Sequence, residues 1–201
     1  MYAGISDLKI LPLENGKYLK PFRMKFTQNG KERDWECVKA MSSVSALLYH
    51  TQMDSFLLVK QFRPAVWYSQ HEEGIATSEP GYTYELCAGL LDKGISKEQT
   101  IKEEILEECG YAVSDVTPIV MTYGAFGFSG NTQSMFYATI DESMRVNSGG
   151  GVAGEEEIEL VFIPRLDMLS FLFDESKPKG FGLLFAYFWW EKNLKEKFVT
   201  P

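Results

Sequence analysis

Apolar and polar positions alternate over much of this chain, and the pattern predicts mainly β-strands. Residues 18–27 and 32–39 flank Asn29-Gly30, a dipeptide typical of a tight β-hairpin turn. Runs rich in β-branched and aromatic residues predict further strands at 43–50, 55–63, 82–87, 116–123, 134–140 and 158–163. Two helices are expected near the end, from about Leu166 and from about Gly182. Together these elements indicate a mixed sheet between helical layers.

A further helix is predicted between Ser96 and Gly110. Ser96 and Gln99 form a capping-box pattern at its start, and Gly110 can adopt the left-handed conformation that ends a helix. Its second half carries four acidic residues: Glu103, Glu104, Glu107 and Glu108. Carboxylates at this end oppose the helix dipole, and like charges four residues apart repel. The arrangement costs stability locally, which indicates that a bound cation offsets it.

The acidic residues of this helix do not all share one face. At about 100° per residue, Glu104, Glu107 and Glu108 lie in one arc beside an apolar stripe, and Glu103 points away from them. Carboxylate oxygens gathered in this way suit a hard divalent cation such as Mg²⁺. The alternative is a solvated acidic helix face.

The segment from Gly89 to Tyr111 resembles the Nudix box, G-x5-E-x7-R-E-U-x-E-E-x-G-U, where U is aliphatic. The positions that match are Gly89, Glu104, Ile105, Glu107, Glu108 and Gly110. Two positions depart from the pattern, because Ile95 replaces the first Glu and Glu103 replaces the Arg. In the family those two residues pair. We expect an altered scaffold with retained chemistry, in which Ile95 buries its side chain and Lys102 partly offsets Glu103.

Other segments extend the resemblance to the nucleoside diphosphate sugar pyrophosphatases, most closely the UDP-glucose subgroup. These segments are 33–39, 57–64, 84–90, 123–130 and 135–137. The resemblance implies an α/β fold, namely a Nudix α/β/α sandwich with a mixed sheet, plus a small N-terminal β unit. Residues 1–41 would form that unit, which serves dimerisation and base stacking, and residues 42–201 would form the hydrolase domain.

The resemblance also implies a metal site and catalytic carboxylates. Glu104, Glu107 and Glu108 would bind Mg²⁺, with Mn²⁺ as an alternative, together with the main-chain carbonyl of Ala88. Glu156, in the glycine-rich segment 149–158, would also be catalytic, and either it or one of the three helix carboxylates would take the proton of the attacking water. The alternative for Glu156 and its acidic neighbours is an exposed acidic loop.

Three further residues are candidates for substrate binding. Arg63 has a guanidinium that can hold a phosphate bidentately, and its alternative is a surface ion pair. Trp35 offers a flat face on which a nucleobase can stack, and its alternative is packing in a core or interface. Glu85 would hydrogen-bond substrate or a metal-bound water, and its alternative is a salt bridge on a strand.

The reaction that the resemblance implies is hydrolysis of UDP-glucose to UMP and glucose 1-phosphate. An ADP-ribose or ADP-sugar pyrophosphatase is the alternative with the same chemistry. The departures at Ile95 and Glu103 leave a second alternative open, a catalytically weak Nudix domain that binds nucleotides.

Composition excludes several other classes of protein. A net charge of −8 argues against binding to nucleic acid phosphates. The most apolar run, residues 181–190, is too short to cross a bilayer, and no secretory signal is visible, so no membrane association is expected. An odd number of cysteines favours a reduced, cytoplasmic location. The N-terminal β unit cannot bury both faces by itself, and a homodimer is therefore expected, as the resemblance also implies.

Overall fold

The computed structural model describes residue 5, residues 7–152 and residues 157–198. The strands within these ranges are β1 Lys20–Gln28, β2 Lys31–Lys39, β3 Ser43–His50, β4 Ser55–Phe62, β5 Tyr82–Glu85, β6 Cys87–Leu90, β7 Thr117–Tyr123, β8 Thr132–Ile140 and β9 Ile158–Pro164. The helices are α1 Pro64–Glu72, α2 Lys97–Glu104, α3 Met168–Phe173 and α4 Phe181–Asn193, with a π-helical turn at Ile105–Cys109 and 3₁₀ turns at Glu142–Met144 and Lys195–Lys197. The predicted mixed α/β architecture is confirmed.

The small sheet is the predicted N-terminal hairpin. Strands β1 and β2 pair antiparallel along their whole length. Asn29 and Gly30 both have positive φ, at 53° and 73°, as a two-residue turn between twisted strands requires.

The large sheet has seven strands and is mixed. Its main path runs in the order β5-β4-β3-β8-β7, while β6 pairs with β3 and β9 pairs with β4. Strands β3 and β8 are parallel, and the other pairs are antiparallel. A parallel pair needs a crossover between its strands, and the crossover here contains the acidic helix.

Helices cover both faces of this sheet. The cluster on one face contains Val44, Ala46, Leu48, Ile101, Ile105 and Cys109, and it packs α2 and the π turn against β3. The cluster on the other face contains Leu47, Tyr49, Met168, Leu172, Ala186 and Trp190, and it packs α3 and α4. Successive residues of β3 point to opposite faces, so a single strand supplies both clusters. Each large apolar side chain buried in this way contributes about 1.5–3 kcal/mol.

Two elements differ from the sequence prediction. Helix α1 follows β4 directly and was predicted as neither helix nor strand. It buries none of its residues completely, so it lacks the apolar periodicity from which helices are recognised. The strand predicted at 82–87 is divided at Leu86, because β5 pairs with β4 whereas β6 pairs with β3.

Candidate functional site

The acidic helix begins and ends at the predicted residues. The hydroxyl of Ser96 accepts a hydrogen bond from the amide of Gln99 at 3.1 Å, and Gly110 ends the helix with φ at 81°. Between them the backbone changes from α to a π turn at Ile105. Such turns are rare and occur frequently at functional sites. Glu107 lies within this wider turn, so the α-helical projection describes its direction only approximately.

Glu104 lies directly against strand β6. A Cβ atom added to Gly89 would lie 2.1 Å from the carboxyl carbon of Glu104 and 2.3 Å from its Oε1. No side chain can therefore occupy position 89 unless the carboxylate moves. The glycine of the box allows helix and strand to approach closely enough for Glu104 to reach the main chain of β6.

Glu108 is held against the same strand. Its side chain is almost completely buried, and its Oε2 accepts a hydrogen bond from the amide of Ala88 at 3.0 Å. A buried carboxylate is costly unless it is paired, and this bond accounts for part of its compensation. Glu104 and Glu108 thus both reach the short stretch of β6 that includes Ala88. The carbonyl of Ala88 was predicted to bind the same metal ion as these two carboxylates.

The donor set around this stretch fits a hard cation. The structure brings the carboxylates of Glu104 and Glu108 to the stretch that includes Ala88, while Glu107, in the wider turn of the same helix, stays a predicted donor. Carboxylate and carbonyl oxygens are the donors that Mg²⁺ and Mn²⁺ use. Across residues 5, 7–152 and 157–198, however, no three His, Cys, Asp or Glu side chains converge closely enough to form a metal site by themselves.

A lysine provides positive charge at this end of the helix. The Nζ atom of Lys93 lies 3.5 Å from Glu103 Oε2 and 3.8 Å from Glu104 Oε1. Glu103 also accepts a hydrogen bond from the side-chain amide of Gln99 at 3.0 Å, and this bond together with the charge of Lys93 lowers the pKa of the Glu103 carboxyl. The sequence interpretation missed Lys93, although the charge reversal at position 103 was a reason to look for a nearby cation.

The two expectations about the departures from the box are wrong. Ile95 is not buried, since 40% of its surface is exposed. Lys102 does not offset Glu103, because its ammonium donates to the main-chain carbonyl of Ser114. The pair Lys93–Glu103 links loop and helix with the acidic and basic partners exchanged relative to the family pattern, so the scaffold keeps an ion pair despite both departures.

The glycine-rich segment returns to the end of the acidic helix. The amide of Gly150 donates to the carbonyl of Glu108 at 2.8 Å, and the amide of Gly151 donates to the carbonyl of Glu107 at 3.3 Å. Gly149 has φ at 68°, and a Cβ there would lie 2.5 Å from the carbonyl oxygen of Glu108. Only glycine fits such a contact, so these residues join the segment to the end of the helix.

Glu156 lies outside the described residues, as does Glu155, and its predicted catalytic role stays a prediction. The residues on either side of that gap are described. The amide of Ile158 donates to the carbonyl of Gly150 at 3.3 Å, so the chain leaves the acidic helix and re-enters the sheet at β9 next to the same glycine.

Arg63 and Glu85, predicted separately to bind substrate, contact each other. Nε and Nη2 of Arg63 donate to the two carboxylate oxygens of Glu85 at 2.8 and 2.7 Å. Thr83 donates to the same carboxylate at 2.5 Å. Burial by itself raises the pKa of Glu85, but the hydrogen bonds and charge of Arg63 outweigh it, and the pKa lies below its ordinary value. Glu85 therefore stays charged and fixes the plane of the guanidinium.

Trp35 lies in the small sheet and is half-exposed. Its indole Nε1 donates to the carbonyl of Gly127 at 2.8 Å, and the amide of Val38 donates to the carbonyl of Phe128 at 2.8 Å. These bonds attach the hairpin to the loop between β7 and β8. The indole face lies outside the apolar core, where a planar ligand can reach it.

A cleft of about 480 Å³ opens beside Arg63 and Glu85. Its lining residues include Ser45, Ala88, Gln133, Lys179, Gly180 and Gly182. None of these except Ala88 was a candidate from the sequence, because they come from three strands and the start of α4. Residues so far apart in sequence carry no common motif. Ala88 borders both this cleft and the acidic helix.

Comparison with known proteins supports the resemblance to the Nudix box. No protein-family model matches the chain. The uridine diphosphate glucose pyrophosphatase NUDT14 of Bos taurus is 37% identical, and the match covers 86% of this chain and 87% of the relative. The Mus musculus protein of the same name is 32% identical over the same span. The GDP-mannose pyrophosphatase of Escherichia coli strain K12 is 35% identical over 131 residues, which cover 64% of each chain.

A solved structure gives the same answer for the fold. The crystal structure of an ADP compounds hydrolase superposes with a TM-score of 0.70 over 94% of both chains, at 16% sequence identity. That likeness concerns the fold alone, whereas the pyrophosphatase relatives extend over most of the sequence. The chain therefore belongs to the Nudix hydrolases.

Proposed function

We propose that this enzyme hydrolyses the diphosphate of a nucleoside diphosphate sugar, with UDP-glucose converted to UMP and glucose 1-phosphate. The observation that carries the proposal is the 37% identity, over 86% of this chain, to a protein named as a UDP-glucose pyrophosphatase. The geometry supports it, because Glu104 and Glu108 both lie against β6, at Gly89 and Ala88.

The residues divide into three groups by their proposed roles. Glu104, Glu107, Glu108 and the carbonyl of Ala88 would hold Mg²⁺ or Mn²⁺, which when bound would neutralise charge on the diphosphate and lower the pKa of a bound water. Arg63 binds a phosphate oxygen, and Glu85 keeps its guanidinium in the required plane. Glu156 accepts the proton of the water that attacks phosphorus, and the P–O bond to the other phosphate breaks.

We also propose that the nucleobase of the substrate stacks on Trp35 and that the small sheet forms a dimer interface. Directly opposed residues of the hairpin put Phe22, Met24, Phe26 and Trp35 on one face, and each is between 42% and 51% exposed. Its other face carries charged pairs such as Arg23–Glu36 at 2.7 Å. An exposed apolar face on a two-stranded sheet is typical of an interaction surface.

The dimer can be tested by light scattering at micromolar concentration. We expect a mass of about twice 22.9 kDa for the wild type. Replacing Met24 and Phe26 by serine removes apolar area from the hairpin without touching the core, and we expect a monomer. A wild-type protein that is monomeric under these conditions would contradict the proposal, as would a double variant that stays dimeric.

Two further assignments belong to the same proposal. Residues 1–41 serve as a dimerisation and base-stacking unit, and residues 42–201 serve as the catalytic domain; the small sheet ends at Lys39 and the large one begins at Ser43. The enzyme works in the cytoplasm, which is supported by Cys37, Cys87 and Cys109 all being free thiols. No helix among the described residues is both long and apolar enough to span a membrane.

The substrate is tested with a panel of nucleotide sugars. Turnover of UDP-glucose, GDP-mannose and ADP-ribose is compared at equal concentration, with Mg²⁺, with Mn²⁺ and with excess chelator. We expect the highest kcat/KM for UDP-glucose and no turnover with the chelator. Glu107→Gln keeps the shape of the side chain and is expected to lower kcat by at least about 10²-fold, because it removes a metal-binding charge. Faster turnover of ADP-ribose would favour the ADP-sugar alternative, and nucleotide binding without turnover would favour a catalytically weak domain.

A further inference from the structure

The cleft on the face of the sheet that α4 covers shares residues with the proposed catalytic site. Ala88 donates its amide hydrogen to Glu108, and the same residue lines the cleft. Arg63, which is proposed to bind a phosphate oxygen, also lines it. The cleft, with a volume of about 480 Å³, therefore meets the proposed catalytic site at Ala88 and Arg63.

The N-terminus of α4 borders the cleft. This helix is 13 residues long, and its N-cap residue is Gly180, which has no side chain to accept hydrogen bonds from the first turn. The first amides of a helix lack partners within the helix and carry partial positive charge. Gly182, in the first turn, also lines the cleft and leaves the backbone accessible from that side.

A second observation comes from the opposite wall. Ser45 is 1% exposed and lines the cleft, and its Oγ has no hydrogen-bond partner within the part of the chain that the structure describes. A buried hydroxyl without a partner costs free energy that a ligand oxygen can recover. Neither Ser55 nor Ser134, whose hydroxyls share this condition, borders the cleft.

The other side chains of the cleft decide what kind of group fits. Gln133 brings an amide with both donor and acceptor atoms. The ammonium of Lys179 donates to the main-chain carbonyl of Asp174 at 2.7 Å. The charges of Arg63 and Glu85 neutralise each other. No aromatic side chain is among the described residues that line the cleft, so it offers no platform for stacking a base.

We propose that this cleft is the glycosyl subsite of the enzyme, in which the hydroxyl groups of the sugar bind Ser45, Gln133 and the N-terminus of α4. The assignment rests on the proposed function, since it presumes a nucleoside diphosphate sugar. Sugar hydroxyls both donate and accept hydrogen bonds, and the cleft offers both kinds of partner without a net negative charge. The nucleobase then lies away from this cleft, towards Trp35.

The test compares two substrates that differ only in the sugar. UDP-glucose carries a glucosyl group on its second phosphate, and the P²-methyl ester of UDP carries a methyl group there. Hydrolysis of either one at the diphosphate yields UMP, with glucose 1-phosphate or methyl phosphate as the second product. ADP-glucose, with the same sugar and another base, serves as the third substrate.

Two variants perturb the cleft while keeping the fold. Ser45→Ala removes the partnerless hydroxyl, which is expected to leave stability unchanged or raise it. Gly182→Ala adds a methyl group 3.2 Å from Met135 Cε and 3.3 Å from Gln133 Oε1, which narrows the cleft next to the helix start. Ser134→Ala is the matched control, because it removes a buried, partnerless hydroxyl from the next strand without bordering the cleft.

We expect Ser45→Ala to lower kcat/KM for UDP-glucose about five-fold, the value of one neutral hydrogen bond, and Gly182→Ala to lower it about ten-fold or more. Both variants should turn over the methyl ester like the wild type, with an unchanged preference for UDP-glucose over ADP-glucose, and Ser134→Ala should match the wild type throughout. Equal losses on UDP-glucose and the methyl ester would overturn the assignment, and a changed preference between the two bases would place the base in the cleft instead.

Failure of the proposed function has a different signature. If the wild-type enzyme turns over none of the nucleotide sugars, the proposed reaction is wrong. Binding of glucose 1-phosphate, measured by calorimetry with Mg²⁺ present, then tests the cleft alone. Binding that weakens in Ser45→Ala but not in Ser134→Ala supports the subsite, and binding that is absent or equal in all three proteins refutes it.

Discussion

The contact between Gly89 and Glu104 leads to a prediction that can be worked out from the structure. Gly89→Ala adds a single methyl group on the face of β6 that α2 covers. The new Cβ would lie 2.1 Å from the carboxyl carbon of Glu104, 2.3 Å from Oε1 and 2.4 Å from Cγ. Non-bonded carbon atoms prefer a separation of about 3.5–4.0 Å. The carboxylate must therefore retreat by about 1 Å or more.

This displacement is expected to affect activity far more than stability. The atoms that meet the methyl group belong to the end of a flexible side chain, which can rotate away, so we expect a loss of at most about 1–2 kcal/mol in the free energy of unfolding. Misplacement of a reacting or metal-binding group by about 1 Å costs on the order of 10²-fold in rate. Under the proposed function, Gly89→Ala should thus stay folded and lose about 10²-fold in kcat for UDP-glucose.

The assay combines steady-state turnover of UDP-glucose with chemical denaturation of the same preparation. Gly130→Ala is the control, because a Cβ at Gly130 meets no atom within 4 Å and its backbone does not have positive φ. We expect that control to retain both activity and stability. Wild-type turnover in Gly89→Ala would refute the reasoning, since Glu104 would then be dispensable at its present position. Unfolding of the variant would show instead that the strand, and not the carboxylate, gives way.

Two ion pairs, Lys93–Glu103 and Arg63–Glu85, give further predictions. Lys93→Met should change thermal stability little, because both side chains of the pair are exposed. It should raise the apparent Mg²⁺ requirement or lower kcat several-fold, because it releases Glu103 from its partner. The double exchange Lys93→Glu with Glu103→Lys should recover most of the activity, and a double variant no more active than either single variant would contradict the pairing. Glu85→Gln should cost about 1–3 kcal/mol of stability at pH 7, since it removes a charged partner of Arg63. Because the folded pKa of Glu85 lies below the unfolded value of about 4.3, the stabilisation is present above that pH and is lost as the pH falls through the folded pKa. Urea denaturation of wild type and variant between pH 3 and 7 should show the difference closing at the acidic end, and a difference independent of pH would show that the charge is not its cause.

Local patterns predicted several elements correctly because their causes are local. Asn29-Gly30 forms the hairpin turn through its own positive φ angles. Ser96 caps the acidic helix by accepting a hydrogen bond from the amide of Gln99, only three residues away. The burial of Ile101, Ile105 and Cys109 follows from helical periodicity. The change to a π turn at Ile105 left no comparable pattern in the sequence.

Contacts between distant segments account for the predictions that were wrong or incomplete. Lys102 and Glu103 are neighbours in sequence, yet Lys102 contacts Ser114 and Glu103 contacts Lys93, because successive helical residues point in different directions. Arg63 and Glu85 were separate candidates until the pairing of β4 with β5 placed them within 2.8 Å.

The sequence by itself determined the family and the bounds of the acidic helix, and it predicted which carboxylates lie beside the buried stripe, since these depend on residue types at short, regular spacing. Only the tertiary structure decided what each carboxylate contacts. In the sequence Gly89 matches the first position of the box, and in the structure its missing side chain leaves the space that the Glu104 carboxylate occupies. The cleft formed by Ser45, Gln133 and the start of α4 exists only because the sheet and its second helical layer bring these residues together. Such proximity is a property of packing, and no local pattern encodes it.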